Sequence, residues 1–562
     1  MPQLRRLAEA ALLLSFIVFS AAPAFSQSRI AARHGMVVAS EPLAADAGLE
    51  ILKAGGNAVD AAVAVGFAMA VTYPVAGNIG GGGFMLIRRT SDESIAVDYR
   101  EEAPAAATRN MYLDSQGNPV AESSTVGARA AGVPGTVAGL ALAHQKYGKL
   151  PWKRLLQPAI RLAAGFPVSY ELSELLKSER DNLEKFPETR RIFLRGGHSY
   201  EPGEILRQPD LAQTLRRIAT GGPEAFYRGP VAQAIAASMR KHGGLITAAD
   251  LRQYEAKLRP VIRTTFRGYE ILTMPPPSSG GIGLVEMLNV LEPLDLGQPN
   301  SFHSMRLIVE TMRRAYADRA AFLGDADFVS VPVKGLTSKT YAARLREEIL
   351  RGKAAAPVAA GDPSSLESAE TTHFSVVDAE GNAVANTYTL NDWFGCYVTV
   401  EGTGMLLNNE MDDFAARPGA PNNMFGLVQG EANAIAPRKR PLSSMTPTIV
   451  LRDGKVRLVL GSPGGGTIIN TVLQVLLNVI AFNMDIREAV AAPRFHHQWM
   501  PDQLILERRG FSADTIHLLE EAGYQLRYRD RMGICEAIEI DAATGWRFGA
   551  ADPRAEGKAA GY

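Results

Sequence analysis

The chain has little cysteine and no surplus of charge, and each shortage excludes a class of protein. Cys396 and Cys535 are the only 2 cysteines among 562 residues, so a disulfide framework is excluded and only a single bridge stays open. The 59 Lys and Arg residues balance the 59 Asp and Glu residues, so no overall field attracts nucleic acid or an anionic membrane. We therefore expect a small-molecule partner and no nucleic acid.

Long apolar runs are also scarce, apart from one short run near the N-terminus. Residues 1–27 carry Arg5 and Arg6, then an apolar stretch over residues 10–19, and then small residues. This order is that of a secretory signal, and the run is shorter than the roughly 20 residues of a membrane span. An uncleaved anchor is the competing interpretation, which the small residues disfavour. We predict a signal peptide over residues 1–26, no membrane span, and a periplasmic or secreted protein.

The most informative stretch that is present begins at Thr371. Residues 371–378 alternate polar and apolar side chains, and a turn at residues 379–382 leads into a second run over residues 383–390, which predicts a two-stranded hairpin. A threonine hydroxyl needs a base beside it, and the α-amino group of an N-terminal threonine, with a pKa of about 7.7 to 8.0, supplies one. The hypothesis is that the chain cuts itself between Glu370 and Thr371. A plain strand edge is the alternative for the threonines alone.

Apolar periodicity predicts the remaining elements. Residues 133–350 are predicted to be mainly helical. The predicted helices cover residues 44–69 with a turn at 55–57, 136–146, 152–164, 209–220, 230–242, 301–322 and 467–482, and further strands cover residues 95–98, 448–452 and 456–460. Residues 351–370 are rich in Ala, Pro, Ser, Gly and Asp, which is typical of an exposed linker, and a cut before Thr371 needs such a segment.

Three further features are candidates for chemistry. Four glycines at residues 80–83 are not followed by the Lys-Ser/Thr of a phosphate-binding loop, so we interpret them as a place of close backbone packing. Arg100 lies where a predicted strand meets a loop and suits bidentate capture of a carboxylate, although a surface ion pair is the commoner role. The glycine-rich residues 461–466 precede a predicted helix, so their N–H groups suit an oxyanion, with an ordinary strand-to-helix turn as the alternative.

These stretches, taken together and in order, resemble one known family. The matching motifs are residues 77–84, 98–101, 274–281, 371–373, 408–414, 441–445 and 461–465. They resemble the gamma-glutamyltranspeptidases, which are N-terminal nucleophile hydrolases that mature by cutting themselves into a large and a small subunit. The resemblance covers the chain from Ala45 to Tyr562. It implies an α+β fold, a four-layer αββα sandwich formed by both subunits, with residues 27–370 as the large and 371–562 as the small subunit.

The resemblance also implies an enzyme and its reacting groups. Thr371 matches the nucleophile and Thr389 the second threonine that hydrogen-bonds it, while Gly464 and Gly465 match the oxyanion hole. The expected substrates are glutathione or other γ-glutamyl compounds, with water, amino acids or peptides as acceptors. We expect neither a cofactor nor a metal; the adjacent His496 and His497 look metal-like, but adjacent histidines project in different directions and hydrogen bonding is favoured.

The groups that the resemblance assigns to the zwitterionic end of the substrate are six side chains. The α-carboxylate is assigned to Arg100, Ser443 and Ser444, and the α-amino group to Asn391, Glu410 and Asp413. A guanidinium at one pole and a carboxylate at the other are what such a group requires.

The sequence departs from the family pattern near this site. Phe425, within the glycine- and proline-rich loop of residues 417–430, stands where some members have a tyrosine that bonds the asparagine matching Asn391, so we expect looser closure of this loop. Trp393 and Cys396 stand in a variable stretch from which acceptor preference does not follow.

Two alternatives remain open. The first is a related amidase that acts on glutaryl or cephalosporin-type acyl groups, against which Asp413 argues, because a glutaryl group has no α-amine for a carboxylate to hold. The second is a secreted binding protein that kept the pocket and lost self-cleavage.

Overall fold

The computed structural model of the chain describes residues 30–363, 373–422 and 424–562. The predicted signal peptide over residues 1–26 and the predicted nucleophile Thr371 lie outside the described residues. The strands are β1 (Ile30–Ala32), β2 (Met36–Ala39), β3 (Gly82–Arg88), β4 (Ser94–Tyr99), β5 (Phe166–Pro167), β6 (Leu194–Arg195), β7 (His198–Ser199), β8 (Ile205–Leu206), β9 (Lys257–Arg259), β10 (Ile262–Phe266), β11 (Tyr269–Thr273), β12 (His373–Val377), β13 (Ala383–Thr389), β14 (Thr399–Val400), β15 (Met405–Leu406), β16 (Thr448–Arg452), β17 (Lys455–Leu460), β18 (Phe495–His496), β19 (Leu504–Glu507), β20 (Leu526–Arg529), β21 (Ala537–Ile540), β22 (Arg547–Ala550) and β23 (Lys558–Gly561).

The helices and the short 3-10 turns complete the element order. The helices are α1 (Pro42–Lys53), α2 (Ala58–Thr72), α3 (Thr136–Tyr147), α4 (Trp152–Leu155), α5 (Gln157–Ala163), α6 (Tyr170–Ser178), α7 (Arg180–Glu184), α8 (Pro187–Phe193), α9 (Pro209–Gly221), α10 (Glu224–Tyr227), α11 (Pro230–His242), α12 (Ala248–Gln253), α13 (Gly280–Leu291), α14 (Phe302–Phe322), α15 (Val333–Leu336), α16 (Lys339–Arg351), α17 (Ile468–Ile480), α18 (Ile486–Ala491) and α19 (Ala513–Glu521). The 3-10 turns are Ala128–Ala130, Glu410–Asp413, Glu431–Asn433 and Gly465–Thr467.

Two seven-stranded sheets, antiparallel at every pairing, form the centre of the molecule. One sheet has the order β1-β22-β21-β17-β16-β11-β10 and the other the order β23-β2-β12-β13-β3-β4-β9. Buried side chains such as Phe84, Leu272 and Val459 fill the space between the two sheets. Helices that include α1, α2 and α3 cover the outer face of the second sheet, and helices that include α13, α14 and α17 cover the first. The predicted four-layer αββα sandwich is confirmed.

The hairpin that follows Thr371 lies in the middle of the second sheet. Strand β12 pairs with β2 on one side and β13 on the other, and β13 pairs in turn with β3. All five residues of β12 are buried, because the strand is covered by helices on one face and by the other sheet on the other. The polar His373 is satisfied inside the sandwich by the hydroxyls of Thr387 at 3.0 Å and Ser375 at 2.8 Å. The hairpin prediction is confirmed for its described residues.

Local capping explains why residues 44–69 form two helices. The Asn57 side chain accepts from the backbone N–H of Asp60 at 3.0 Å, and the Asp60 carboxylate accepts from the Asn57 N–H at 3.1 Å. This reciprocal capping box starts α2 directly after the left-handed Gly55, which a residue with a side chain adopts only at a cost. The predicted helix-turn-helix is therefore confirmed.

Residues 133–350 are mainly helical as predicted, but they also contain strands that were not predicted, and one predicted helix is corrected. Strands β9, β10 and β11 occur there, and β10 and β11 are joined by Arg267 and Gly268, both at positive φ, which is the two-residue hairpin turn. The predicted helix over residues 152–164 is also interrupted, because Pro158 lacks a backbone N–H and divides it into α4 and α5.

The segment before residue 364 is fastened to the helical layer that contains α14. The backbone N–H groups of Ala355 and Gly361 donate to Glu310 and Asp318 at 3.0 and 2.7 Å, and the Trp499 indole donates to the Val358 carbonyl at 2.8 Å. Two of these anchors, Glu310 and Asp318, lie on α14 itself. The described part of residues 351–370 therefore makes tertiary contacts, although its composition is that of a linker.

Asp318 belongs to a buried pair of carboxyl groups. Its neighbour Glu286 on α13 is buried, and a hydrogen bond joins the two carboxyls, while the Tyr341 hydroxyl also donates to Asp318. Burial raises the pKa of Asp318 to about 6, and burial together with Asp318 raises the pKa of Glu286 well above its ordinary value. The pair therefore holds a proton where isolated carboxyls would be ionised.

Two other sequence questions are answered by the described part of the chain. Cys396 and Cys535 are both buried and unbridged, and they lie in separate cores on opposite faces of the sandwich. Within residues 30–363, 373–422 and 424–562, no helix combines the length and the apolar character that crossing a membrane requires.

Candidate active site

The glycines before β3 allow two backbone segments to approach each other. A Cβ on Gly81 would overlap the carbonyl oxygen of Thr389, and one on Gly80 would overlap that of Leu406. The Asn78 side chain fixes the same junction, because its amide donates to the Thr389 carbonyl at 2.8 Å and its oxygen accepts from the Gly81 N–H at 2.9 Å. The interpretation as a place of close packing is confirmed.

Thr389 and Asn391 are positioned at the end of β13 by that junction. The Thr389 hydroxyl oxygen accepts from the Asn391 backbone N–H at 2.8 Å, which leaves the hydroxyl hydrogen available to another acceptor. Asn391 has a left-handed backbone, with φ of 78°, and its side chain donates to the carbonyl of Asn409 at 3.2 Å. Both side chains line the same cavity.

Gly464 and Gly465 form the opposite wall of that cavity. Their φ angles of 129° and 57° lie in the region that favours glycine, and they lead through the 3-10 turn into α17. The Gly464 carbonyl accepts from the hydroxyl of Thr467 at 2.7 Å. No described residue accepts a hydrogen bond from the backbone N–H of Gly464 or Gly465. Two such groups at the start of a helix are suited to a developing negative charge.

The loop of residues 417–430 folds over these glycines. A Cβ on Gly465 would meet the Phe425 ring at 2.5 Å. Phe425 is held by its carbonyl, which accepts from the Gln498 amide at 3.1 Å, and by packing against the core on the α17 side. An aromatic ring rather than a hydroxyl thus covers the glycine pair.

The cavity has a volume of about 310 Å³. Thr389, Asn391, Gly464, Gly465 and Phe425 belong to its lining. Other lining residues, to which no sequence pattern pointed, include Tyr73, Glu171, Asp392, Arg529 and Arg531, and Trp393 lines the cavity as well.

Arg100 is at the centre of a second group of side chains, which is fully buried. Its guanidinium is ion-paired with Glu410 and, at 2.5 Å, with Asp413, and Glu101 lies 3.8 Å away. Its remaining N–H groups donate to the carbonyls of Pro441 at 3.3 Å and Leu442 at 3.5 Å. The ion pair is therefore buried rather than on the surface.

One guanidinium faces three carboxyl groups in this cluster, and the pKa values reflect the imbalance. Burial raises the pKa of Glu101 to about 7 and that of Glu410 well above its ordinary value, with Arg100 opposing both shifts. Burial opposes the charged form of Arg100, but Glu410 and Asp413 outweigh it and raise the pKa of Arg100. The guanidinium stays charged, and the carboxyls share protons near neutral pH.

Ser443 and Ser444 follow directly after the carbonyls that Arg100 contacts. Both residues are fully buried, and neither hydroxyl has a hydrogen-bond partner among the described residues. Buried hydroxyls are normally hydrogen-bonded, so two adjacent ones without partners indicate a place for a polar ligand.

The structure thus divides the predicted site residues into two neighbouring groups. The cavity group contains Thr389, Asn391, Gly464 and Gly465, and the buried group contains Arg100, Glu410, Asp413, Ser443 and Ser444. Asn391 connects the groups, because it bonds the carbonyl of Asn409, the residue before Glu410. Sequence reasoning missed Glu101 as a member of the buried group, although it is adjacent to Arg100.

The two adjacent histidines behave as hydrogen-bonded core residues. His496 contacts the Asn470 amide at 2.8 Å and Gln498 at 3.0 Å, while His497 contacts Asp502 at 3.1 Å. Burial lowers the pKa of His496 to about 3. The hydrogen-bonding interpretation of this pair is confirmed.

Comparisons with known proteins agree with this geometry. The family described as Gamma-glutamyltranspeptidase matches residues 44–562. The glutathione hydrolase proenzyme of Escherichia coli strain K12 is 48% identical over 578 residues, covering 100% of this chain and 99% of that protein. The structure of cephalosporin acylase from Bacillus halodurans is similar with a TM-score of 0.86 and 28% identity, covering 97% of this chain and 98% of that one. That of gamma-glutamyltranspeptidase from Helicobacter pylori has a TM-score of 0.55 and 43% identity, covering 61% of this chain and 97% of that one.

Proposed function

The chain belongs to the gamma-glutamyltranspeptidase family, and on that premise we propose that the protein is a gamma-glutamyltransferase and glutathione hydrolase. It takes the γ-glutamyl group from glutathione or a related compound and passes it to water, an amino acid or a peptide. The observation that carries the proposal is the buried cluster of Arg100 with Glu410 and Asp413, beside the two unpartnered serine hydroxyls.

The buried cluster binds the zwitterionic end of the donor by exchanging partners. The α-carboxylate of the donor takes the guanidinium of Arg100 and accepts from the hydroxyls of Ser443 and Ser444. Glu410 and Asp413, released from Arg100, take the α-ammonium together with Asn391. Because the donor end brings one positive and one negative charge, no buried ion is left without a partner.

Bond cleavage takes place in the cavity on the other side of Asn391. The hydroxyl of an N-terminal Thr371 attacks the γ-carbonyl, its proton passes to the α-amino group, and the leaving amine then takes that proton as the C–N bond breaks. The hydroxyl of Thr389 hydrogen-bonds the nucleophile, and the N–H groups of Gly464 and Gly465 stabilise the oxyanion. Water or an amine then cleaves the ester by the reverse sequence.

Maturation by a cut between Glu370 and Thr371 is part of the proposal. Two observations support it: the E. coli relative is called a proenzyme, and the solved H. pylori chain is matched almost completely by only 61% of this chain. The products would be residues 27–370 and 371–562, held together as a heterodimer.

Thr371→Ala tests the maturation and the nucleophile together. The variant lacks the hydroxyl that attacks the preceding carbonyl, so it should run as one chain on a denaturing gel and release no 4-nitroaniline from γ-glutamyl-4-nitroanilide. Thr372→Ala is the matched control and should still be cut, with N-terminal sequencing of the small fragment starting at Thr371. Normal processing of Thr371→Ala would disprove the assignment, and uncut, inactive wild-type protein would favour the binding protein.

A cephalosporin-type acylase is the second candidate, because the B. halodurans acylase has the same overall fold with a TM-score of 0.86. The two candidates differ in what they require of the acyl group. A γ-glutamyl enzyme needs a partner for the α-ammonium, and two buried carboxyls supply it here. Faster hydrolysis of glutaryl-4-nitroanilide than of γ-glutamyl-4-nitroanilide would decide for the acylase.

Export to the periplasm or the medium follows from the basic, apolar and small residues in order over residues 1–26. Deletion of residues 2–26 should leave the protein in the cytosolic fraction. Unchanged fractionation of that variant would contradict the proposed location.

A further inference from the structure

Part of the cavity lining differs in its chemistry from the buried group around Arg100. Its lining includes Glu171, Trp393, Arg529 and Arg531, none of which belongs to the groups assigned to the donor or to the reaction. Whatever leaves or enters the reacting centre through this cavity passes these side chains.

The two arginines of the cavity wall differ in how they are paired. Arg531 is 3.4 Å from Glu171 and also donates to the carbonyl of Arg554 at 2.8 Å, so its charge is partly compensated. Arg529 is exposed and forms no ion pair or side-chain hydrogen bond with any other described residue. The unpaired guanidinium of Arg529 is therefore available to an anion that enters the cavity.

The backbone that carries Arg529 is well fixed although the side chain is exposed. Arg529 is the last residue of β20, which pairs with β19 in register with Glu507. Its carbonyl accepts from the N–H of Arg508 at 2.8 Å. The backbone from which the Arg529 side chain extends therefore has a defined position, which favours recognition of a small ligand.

The cavity lining also offers an apolar surface at Trp393. Trp393 is 43% exposed, and its backbone N–H donates to the partly buried Asp392 carboxyl at 2.8 Å. Burial raises the pKa of Asp392 to about 6. The indole ring therefore presents free contact area on a fixed backbone.

We propose that the part of the cavity lined by Arg529 and Trp393 is the subsite for the leaving group and the acceptor. Arg529 binds the carboxylate of either molecule, and Trp393 contacts its side chain. The inference rests on the proposed function and names the residues that select its second substrate. Glutathione releases a dipeptide that ends in a carboxylate, and amino-acid and peptide acceptors carry the same group, so one subsite serves both. In transfer, the acceptor nitrogen forms a C–N bond with the acyl carbon, the C–O bond to Thr371 breaks, and the amine proton returns to the threonine oxygen.

Paired donors that differ by one carboxylate test Arg529. Wild-type protein should hydrolyse γ-glutamyl-3-carboxy-4-nitroanilide with a higher kcat/KM than γ-glutamyl-4-nitroanilide, and Arg529→Gln should reduce the first value by about ten-fold while changing the second less than about two-fold. Because the site is exposed, the wild-type preference should weaken as ionic strength rises. Arg529→Lys should restore part of the preference.

Acceptors provide the second measurement. With γ-glutamyl-4-nitroanilide as donor, Arg529→Gln should raise the KM of glycylglycine to about that of glycylglycinamide, which lacks the carboxylate. Arg527→Gln is the matched control, because Arg527 is an exposed arginine on the same strand and is not part of the cavity lining. This control should behave as wild type with all four substrates.

The outcomes separate this inference from the proposed function. No wild-type turnover of either anilide contradicts the proposed function itself. Equal losses on both donors in Arg529→Gln would mean a structural role, and an unchanged donor ratio would mean that the carboxylate is bound elsewhere; either result overturns the inference while the proposed function stands.

Discussion

Two of the buried carboxyl clusters in the described part of the chain differ in whether a cation belongs to the cluster. The donor cluster holds Glu101, Glu410 and Asp413 around the guanidinium of Arg100. The linker cluster holds Glu286 and Asp318 and has a tyrosine hydroxyl and a backbone N–H instead of a cation. Neutral donors satisfy a carboxyl pair only as long as the pair keeps a proton, whereas a guanidinium allows a carboxylate to remain charged.

The presence or absence of this cation decides what each cluster can bind. A charged carboxylate beside a charged guanidinium can exchange its partner for a zwitterionic ligand. The pair of Glu286 and Asp318 has no ion-paired cation that a ligand could replace, and Asp318 instead fixes Gly361 in the segment that leads to residue 364. We infer that the first cluster recognises substrate and the second holds the chain.

Removal of the cation should have the largest effect. Arg100→Met removes the cation that is ion-paired with Glu410 and Asp413, and breaking a buried ion pair from one side costs about 3 to 5 kcal/mol. We expect kcat/KM for γ-glutamyl-4-nitroanilide to fall by at least about 100-fold and the urea midpoint to fall as well. Arg100→Lys retains the charge without the fork and should lose only about ten-fold. If Arg100→Met kept the wild-type kcat/KM, the donor cluster would not bind substrate.

A change to one carboxylate of the donor cluster should have a smaller but more specific effect. Asp413→Asn removes the charge that faces the α-ammonium, so the ratio of kcat/KM for γ-glutamyl to glutaryl anilide should fall by about ten-fold or more. Damage to folding or processing cancels in this ratio, because both donors use the same nucleophile. A constant ratio would assign Asp413 a structural role and strengthen the acylase alternative.

The linker cluster should respond to pH rather than to substrate. Because the pKa of Asp318 is raised to about 6, the folded state keeps a proton that the unfolded state releases near the ordinary pKa of an aspartate. The stability contributed by the protonated Asp318 is therefore present below about pH 4 and is lost as pH rises through 6. Asp318→Asn does not ionise. The free energy of unfolding of Asp318→Asn minus that of wild type should therefore be about 1 to 2 kcal/mol larger at pH 7 than at pH 4.

Denaturant unfolding of both proteins at the two pH values measures this difference. Asp362→Asn is a suitable control, since Asp362 lies in the same segment outside the carboxyl pair. A difference independent of pH would show that Asp318 is ionised throughout this range and that the contrast between the clusters is wrong.

The sequence predicted the fold and the site through motifs, but not the state of the site. Arg100, Glu410 and Asp413 were each assigned to substrate poles, yet no pattern showed that the guanidinium pairs with the carboxylates in the absence of substrate. That pairing depends on residues 310 positions apart meeting in the buried interior. The same limitation applies to Glu286 and Asp318, which lie on different helices.

The secondary-structure predictions failed where local signals competed with tertiary ones. Strands β10 and β11 carry exposed polar residues because they form one edge of their sheet, so their apolar alternation is weak. Arg529 ends β20 of a small sheet and Arg531 follows it in a loop, and nothing in their local sequence links these cavity residues to Thr389.

The interleaving of the two sheets has a consequence for how the protein refolds. Strand β2 pairs with both β12 and β23, and β11 pairs with β16, so strands from before and after residue 371 are hydrogen-bonded to each other in both sheets. A chain cut at that point would lose no strand pairing, but its recovery from denaturant would require two separate molecules to meet. Recovery of the cut protein should therefore depend on concentration and follow second-order kinetics when dilute, whereas an uncut Thr371→Ala chain should refold at a rate independent of its concentration.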